Sequence, residues 1–221
     1  MTDAEKFPPL PRGPHHLGPE QVAASQRARM LDAMARSVAT RGYAETTVAD
    51  VVRLAGVSRK TFYQQFANKE DCYRAAFDHA AHRVTAALNE ESWRAAGTER
   101  KRIERLYASL TAALAGMPDY TRAFVAAAPQ PVDEVLACQE RWRATSMRAL
   151  GEIYSATARA PAELPHAVAR AAVGATDSLI LEHIATRGPE TLGSLTPILS
   201  AVANALLDAA GTITSSSSTG D

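Results

Sequence analysis

The sequence has few cysteines, no secretory signal and no long apolar run, and these absences exclude several classes of protein. Among its 221 residues, Cys72 and Cys138 are too few and too isolated for a disulfide framework or a zinc site. No apolar run reaches the roughly 18 to 20 residues that span a bilayer. The segment Phe7-Pro8-Pro9-Leu10-Pro11-Arg12 stands where a secretory signal would need an apolar stretch. We therefore expect a cytoplasmic protein whose cysteines are reduced and act as small apolar residues.

The chain also lacks net charge. Its 24 basic and 24 acidic residues cancel, which argues against a generally basic surface for nucleic acid. The balance is uneven, because residues 1–89 hold 12 Lys and Arg against 9 Asp and Glu, whereas residues 90–221 hold 12 against 15. This modest bias favours contact with phosphates at the amino-terminal end.

No catalytic or metal-binding motif is present. The sequence contains no Gly-x-Ser-x-Gly elbow, no phosphate-binding glycine loop and no His-Glu-x-x-His helix. His79 and His82 lie three residues apart on a predicted helix, but no carboxylate or cysteine is placed to complete a metal shell. The sequence therefore predicts no enzyme activity, no metal and no cofactor.

The most informative segment is TTVADVVRLAGVSRKTFYQQFANKE, which begins at Thr46 and predicts two short helices joined by a tight turn. Thr46 or Thr47 can cap the first helix, with Asp50 in a weaker version of the capping box. Gly56 can adopt the left-handed conformation that ends a helix, and Ser58 can cap the next one. Two helices that meet in this way form a helix-turn-helix, which predicts DNA binding.

The second predicted helix runs from Arg59 to Phe66 and has two unlike faces. Phe62 and Phe66 lie four residues apart on one face, where they can pack. The remaining side chains project elsewhere and can enter a major groove; they are Arg59, Lys60, Thr61, Tyr63 and Gln64.

At these positions the chain resembles the TetR family of transcriptional regulators. The match is residue by residue at Thr47, Ala55, Gly56, Val57, Ser58, Thr61, Phe62, Tyr63, Phe66, Lys69 and Glu70. It extends over roughly residues 25–88, and beyond them it rests on length and helical character. One departure is Arg59-Lys60, where many members carry a small residue or glycine. The bases that the helix contacts therefore cannot be carried over from the family.

Apolar residues recur at helical spacing through the rest of the chain, with almost no alternation typical of strands. We therefore predict an all-α fold, in which an N-terminal three-helix helix-turn-helix DNA-binding domain precedes a C-terminal helical domain for ligand binding and dimerisation. The predicted units are a flexible proline-rich arm at 1–18, the DNA-binding domain at 19–67, a linking helix at 68–88, the effector and dimerisation domain at 89–211, and a flexible tail at 212–221.

Specific roles follow from the chemistry of the exposed side chains. Arg59 and Lys60 are predicted to contact bases, because their N–H groups can donate to guanine O6 and N7. Hydroxyls and a lysine at a helix start suit phosphate oxygens instead. The residues predicted to hold phosphates are Thr47, Tyr63 and Lys69, and Ser58 and Thr61 complete the predicted DNA-binding surface.

The amino-terminal arm supports a weaker hypothesis. Arg12 follows a proline-rich stretch, and an extended arm that carries a cation can enter a narrow minor groove. A composition of this kind is more often explained by simple disorder.

Aromatic residues of the larger domain predict an effector pocket. Most apolar residues at helical spacing are core, but the resemblance implies that this domain surrounds a small-molecule site. The predicted effector-binding residues are Tyr107, Phe124, Trp142 and Tyr154. Few charges enter this stretch, so an apolar or aromatic effector with one or two hydrogen-bonding groups fits best.

The last two predicted helices carry apolar stripes that point to a homodimer. One stripe contains Val168, Ala171 or Ala172, Ala175 and Leu179, and the other contains Leu195, Leu199, Val202, Leu206 and Ala209. The family builds a four-helix interface from its last two helices, and a two-fold dimer matches a palindromic operator.

These features favour a DNA-binding transcriptional regulator, specifically a repressor released from a palindromic operator by a small effector. Its predicted partners are double-stranded DNA, the effector and a second copy of the chain, with no membrane. A ligand-responsive activator is the alternative that the sequence leaves open. An enzyme or ligand carrier that uses the helix-turn-helix only for packing is less favoured, because packing does not require Arg59, Lys60 and Tyr63 on an exposed face.

Overall fold

The computed structural model describes residues 18–89, 91–126, 133–156 and 163–217, with side chains described throughout except at 91–92, 126, 133–139 and 211–217. Within these ranges every regular element is helical, which confirms the predicted all-α class. The α-helices are α1 (Pro19–Arg41), α2 (Val48–Ala55), α3 (Arg59–Gln65), α4 (Lys69–Asn89), α5 (Glu91–Arg94), α6 (Glu99–Ala115), α7 (Pro118–Thr121), α8 (Asp133–Ser155), α9 (His166–Arg187) and α10 (Thr196–Ser217). A π-helical segment covers Arg122–Ala126, and a 3-10 helix covers Pro189–Leu195.

The first helix is bounded by Pro19 and Gly42. Pro19 occupies the first turn of α1, where its missing N–H costs no hydrogen bond. The helix ends at Gly42, whose φ of 80° and ψ of 162° lie in a region that side chains with a Cβ rarely adopt. The end of α1 therefore depends on glycine.

Helices α1, α2 and α3 pack around a small shared core. Its centre consists of Met30, Met34, Val51, Phe62 and Phe66, each at most 2% exposed. Arg27 of α1 lies over the Phe66 ring at 4.4 Å and donates from Nη1 to the Gln65 carbonyl at 3.3 Å. These contacts fix α3 against α1 while its opposite face stays in solvent.

Helix α4 leaves the helix-turn-helix and runs into the larger domain, as predicted. Asn68 caps it, since its Oδ1 accepts from the Asp71 backbone N–H at 2.9 Å. Cys72 is buried on this helix, and burial raises the pKa of its thiol to about 12, so the thiol stays protonated at neutral pH. The side chain of Cys138 lies outside the described ones.

The two domains meet along α1 as well as α4. Helix α1 packs against α4, α7 and the π-helical segment, and α4 packs in turn against α6 and α8. The sequence predicted only α4 as the link. The second connection depends on residues far apart in the chain, which helical periodicity does not reveal.

The larger domain begins its long helices with α6. Thr98 caps α6 through its side chain, and Gly116 follows its last residue. Helix α10 continues to Ser217, so the predicted tail boundary at 212 falls inside this helix. The predicted arm up to residue 17, including Arg12, lies outside the described residues.

One stretch of the described chain is long and apolar enough to cross a membrane. It runs from Pro189 to Ala210 with a mean hydropathy of 1.3. A single stretch of this kind is weak evidence, because core and interface helices of other proteins share its composition. The expectation that no segment reaches spanning length therefore holds only for uninterrupted apolar runs.

Candidate functional site

The amino end of α2 is closed by a reciprocal capping box. The Asp50 backbone N–H donates to Thr47 Oγ1 at 3.2 Å, and the Thr47 backbone N–H donates to Asp50 Oδ2 at 3.1 Å. Thr47 Oγ1 also donates to Asp50 Oδ2 at 2.7 Å. Of the two residues that the sequence allowed as caps, Thr47 is the one used. Its hydroxyl proton is thus already engaged within the protein.

The neighbouring Thr46 has a different role. Only 1% of it is exposed, and its Oγ1 donates to the Gly42 carbonyl at 2.8 Å and lies 3.2 Å from Ser37 Oγ. Thr46 therefore anchors the loop between α1 and α2 to the end of α1.

The turn between α2 and α3 has the predicted geometry. Gly56 lies in the left-handed region with φ 63° and ψ 39°, and its N–H donates to the Val52 carbonyl. Ser58 Oγ accepts from the Thr61 backbone N–H at 3.0 Å, and the two hydroxyls lie 2.9 Å apart. Ser58 and Thr61 are therefore joined to each other at the first turn of α3.

From its first turn onward, α3 presents an exposed polar face. Arg59, Lys60 and Gln64 are exposed, and Tyr63 is 58% exposed although it is a large ring. Within the described residues, no ion pair or hydrogen bond engages the side chains of Arg59 and Lys60. Their cationic groups are thus available for an external acceptor.

Lys69, by contrast, is half-buried and contacts the end of α1. Its Nζ donates to the Tyr43 carbonyl at 3.0 Å and to the Ala44 carbonyl at 3.4 Å, and lies 4.2 Å from the centre of the Tyr43 ring. In the free protein this lysine therefore ties the start of α4 to the loop before α2.

Sequence reasoning missed a charged cluster beside Thr47. Arg41 and Arg53 both pair with Asp50 Oδ1, at 3.5 Å and 3.3 Å. The hydrogen bonds from Thr47 hold the pKa of Asp50 below its ordinary value, and the two arginines add to this effect. Two cations share one carboxylate here, so the surface keeps a positive excess. Arg53 lies three residues from Asp50, a spacing that could have indicated the pair.

The larger domain contains a mainly apolar cavity of about 100 Å³. Side chains of α4, α6, α8, α9 and the π-helical segment line it, among them Phe77, Leu114, Phe124, Trp142 and Ile180. A smaller cavity of about 20 Å³ is lined by Tyr107 and Thr176, and it shares Trp142 and Asp177 with the larger one. Trp142 therefore borders both cavities.

The polar residues at the larger cavity are mostly occupied within the protein. Tyr120 Oη donates to Asp32 Oδ1 of α1 at 2.8 Å, and Arg143 Nε donates to Asp177 Oδ2 at 3.1 Å. Burial raises the pKa of Asp177, and the Arg143 guanidinium opposes that shift. The cavity wall is thus apolar apart from a neutralised ion pair and a few hydroxyls.

Comparisons with known proteins match this geometry. The sequence profile of bacterial regulatory proteins of the tetR family covers residues 30–76. Two regulators of Pseudomonas putida, the HTH-type transcriptional regulator TtgR and the probable HTH-type transcriptional regulator ArpR, are each 37% identical to the chain over 73 residues. Residues 30–76 are therefore a TetR-family domain. The aligned segment is 32% of this chain and 35% of each relative, so the chain matches about a third of their length.

Solved structures resemble this chain over most of its length. The fatty acid degradation regulator FadR from Bacillus halodurans covers 87% of this chain and 97% of its own, with a TM-score of 0.70 at 17% identity. A tetR-family transcriptional regulator from Streptomyces coelicolor covers 89% and 85%, with a TM-score of 0.70 at 18% identity. At such low identity, these TM-scores show a shared architecture alone. Family members are transcriptional regulators and not enzymes, in agreement with the sequence prediction.

The four predicted effector residues lie at different places in the larger domain. Phe124 and Trp142 line the larger cavity, whereas Tyr107 lines the smaller one, where its Oη lies 3.0 Å from Thr176 Oγ1. Tyr154 is fully buried and lines neither described cavity. Tyr120 lines the larger cavity and was not predicted, because its position depends on how α7 folds back onto α1.

Proposed function

We propose that this protein is a homodimeric repressor that leaves a palindromic operator when a small apolar or aromatic effector occupies the larger cavity. The observation that carries the proposal is that one molecule combines an exposed cationic face on α3 with a mainly apolar cavity against α4. The same α4 begins beside the helix-turn-helix and lines the cavity further along.

DNA contact is assigned to the exposed face of α3. Arg59 and Lys60 are exposed without a described intramolecular acceptor, which suits donation to guanine O6 and N7. Tyr63 is exposed at 58% and suits a phosphate oxygen. Thr47, Ser58 and Thr61 remain in the proposed interface, although each is engaged within the free protein. Lys69 is left out of it, because its Nζ is bonded to the Tyr43 and Ala44 carbonyls.

The proposed dimer uses α9 and α10. Leu181 and Ile198 are 42% and 51% exposed, which is unusual for large apolar side chains and leaves a surface to be covered. Leu195 and Leu199 of the predicted stripe are buried inside the protomer. The proposed contact on α10 is therefore rotated by about one position and centred on Ile198. Small exposed residues surround it on both helices, namely Ala171, Gly174, Ser178, Ala201 and Ala205.

Coupling between cavity and DNA-binding surface has a physical route along α4. Phe124 of the cavity wall lies 5.2 Å from Tyr73, and Tyr73 lies 4.5 Å from Tyr43 (ring centroids). Tyr43 in turn holds Lys69 at the start of α4. A ligand that moves Phe124 would therefore press on residues that position α2 and α3. Release requires only that the ligand bind better to the arrangement in which the α3 helices are misplaced.

The test begins with DNA. A duplex selected by the purified protein from a random-sequence pool is titrated by fluorescence anisotropy at stated salt, with Arg59→Ala and Lys60→Ala as variants. Loss of a base contact is expected to reduce affinity about 5- to 150-fold on the selected duplex, with a smaller loss on mismatched duplexes. Arg148→Ala serves as control, because Arg148 is exposed on α8, in the larger domain. Equal losses for all three variants would contradict the assignment.

The dimer is tested by sedimentation of Ile198→Glu. A charge placed at the proposed contact should convert dimer to monomer and reduce operator affinity, since each protomer contacts one half-site. Ala144→Glu is the control, because Ala144 is exposed on α8. A dimeric Ile198→Glu protein would move the interface elsewhere.

A further inference from the structure

The walls of the larger cavity indicate which chemistry an occupant must bring. Phe77, Val84, Leu114, Phe124 and Ile180 supply apolar surface, which favours a hydrocarbon or aromatic body. The volume of about 100 Å³ is of the order of the roughly 150 Å³ space that holds benzene in another protein. A single aromatic ring is therefore the scale of ligand that this volume indicates.

The hydrogen-bonding groups around this cavity are nearly all satisfied. Thr121 Oγ1 donates to the Leu114 carbonyl at 2.8 Å, and Tyr120 Oη donates to Asp32. Arg143 pairs with Asp177 on α9 and with Glu140 on its own helix. These residues leave no uncompensated positive charge for a ligand anion. An uncharged occupant follows from this balance.

One donor stands apart from them. The indole Nε1 of Trp142 is buried and has no hydrogen-bond acceptor among the described residues. A buried donor without a partner has lost its hydrogen bonds to water and gained none, so such groups are uncommon in native proteins. The chain's other tryptophan shows the ordinary arrangement, because Trp93 Nε1 donates to the Leu88 carbonyl at 2.8 Å.

We propose that Trp142 is the specificity-determining residue of the cavity and donates its indole N–H to an acceptor oxygen of an uncharged, one-ring effector such as an aromatic ketone or ester. The proposal rests on the proposed function in treating the cavity as the effector site. The spare group on the protein is a donor, so the ligand must bring an acceptor. A pure hydrocarbon would fill the space and leave the N–H unpaired.

Acetophenone and ethylbenzene form a matched pair of probes, since they have nearly the same shape and differ in a carbonyl oxygen. The chain has two tryptophans, so a protein labelled with ¹⁵N at tryptophan gives two indole signals. Acetophenone is expected to move the Trp142 indole proton downfield, and ethylbenzene to leave it without that downfield shift. The Trp93 signal is the internal control, because its N–H already has an acceptor.

Affinity gives an independent measurement. By calorimetry, Trp142→Phe is expected to weaken acetophenone about three- to tenfold, the loss of one net hydrogen bond, while ethylbenzene binds as before or more tightly. Trp93→Phe should change neither. Equal losses of both probes in Trp142→Phe, no downfield shift in the wild-type protein, or no binding of either probe would overturn the proposal. The spectrum of the wild-type protein tests the hydrogen bond from Trp142 even if the variant does not fold.

These results separate this proposal from the proposed function. Acetophenone that binds through Trp142 without changing operator affinity would sustain the donor role and contradict effector-driven release. If another compound releases DNA and Trp142 has no donor role, the proposed function would be sustained and the donor role contradicted.

Discussion

The DNA-binding end and the larger domain of this protein are specified in different ways. At the helix-turn-helix, the decisive contacts join residues three or four apart, as in the Thr47–Asp50 box and the Ser58–Thr61 cap. In the larger domain they join distant segments, as in the hydrogen bond between Tyr107 and Thr176. Local contacts leave a signature in short sequence motifs, whereas distant contacts do not.

Similarity to other proteins divides along the same boundary. Residues 30–76 match the family profile, and 37% identity to the Pseudomonas regulators extends over 73 residues. The architecture of the whole chain is shared with structures at only 17% and 18% identity. An all-helical domain can thus keep its fold while most of its residues change.

The largest effect is expected at the end of α1. Gly42→Ala should lower the free energy of unfolding by about 1 to 3 kcal/mol, because φ 80° with ψ 162° is nearly restricted to glycine. Gly56→Ala should cost about 1 to 2 kcal/mol, since its left-handed conformation is less restrictive. Gly97→Ala is the control, because Gly97 has no positive φ and open space around its Cα. Urea unfolding at fixed protein concentration measures all three. A Gly97 effect as large as that of Gly42 would contradict the backbone argument.

The junction between the two domains gives the next effect. Tyr120→Phe removes the hydrogen bond to Asp32 and should cost about 1 to 2 kcal/mol, because the acceptor is charged and partly buried. The same change should alter how strongly a cavity ligand releases DNA, since this bond joins the cavity wall to α1. Tyr107→Phe is the matched control, because it removes a bond that lies within the larger domain.

Unfolding and ligand-dependent anisotropy, measured on the same two proteins, distinguish the roles. Tyr107→Phe should lose stability and keep the wild-type ratio of operator affinities with and without ligand. If both variants change that ratio equally, the Tyr120–Asp32 bond has no special part in the coupling.

The extent to which the sequence predicted the molecule follows the same division. Thr47, Gly56 and Ser58 were identified as the determinants of the helix-turn-helix, because caps and turns depend on neighbours within four residues. Tyr120 was missed because its partner, Asp32, lies 88 residues away. Tyr154 was predicted to contact the effector, but helical spacing does not separate a cavity wall from the solid core in which it lies.

The capping box at α2 should give a smaller, pH-dependent effect. Thr47→Ala is expected to cost about 1 kcal/mol at pH 7, and Thr47→Ser less, because serine keeps the hydroxyl. The Asp50 pKa is lowered in the folded protein, mainly by Thr47. Its stabilising contribution is therefore complete above the ordinary carboxyl pKa and is lost as pH falls through the folded value. The difference between wild type and Thr47→Ala should shrink from pH 7 to pH 3. A constant difference would show that the carboxylate does not contribute.

The smallest effect concerns Lys69, for which sequence and structure suggest different roles. The sequence predicted a phosphate contact, whereas the structure shows Nζ bonded to the Tyr43 and Ala44 carbonyls. Lys69→Met should therefore cost about 0.5 to 1 kcal/mol of stability, by loss of the contact with the Tyr43 ring. The slope of log affinity against log salt should stay unchanged, while Lys60→Met, if Lys60 contacts DNA phosphates as well as bases, should reduce it by about one. A reduced slope for Lys69→Met would mean that Nζ leaves Tyr43 for a phosphate when DNA binds, and would return Lys69 to the DNA interface.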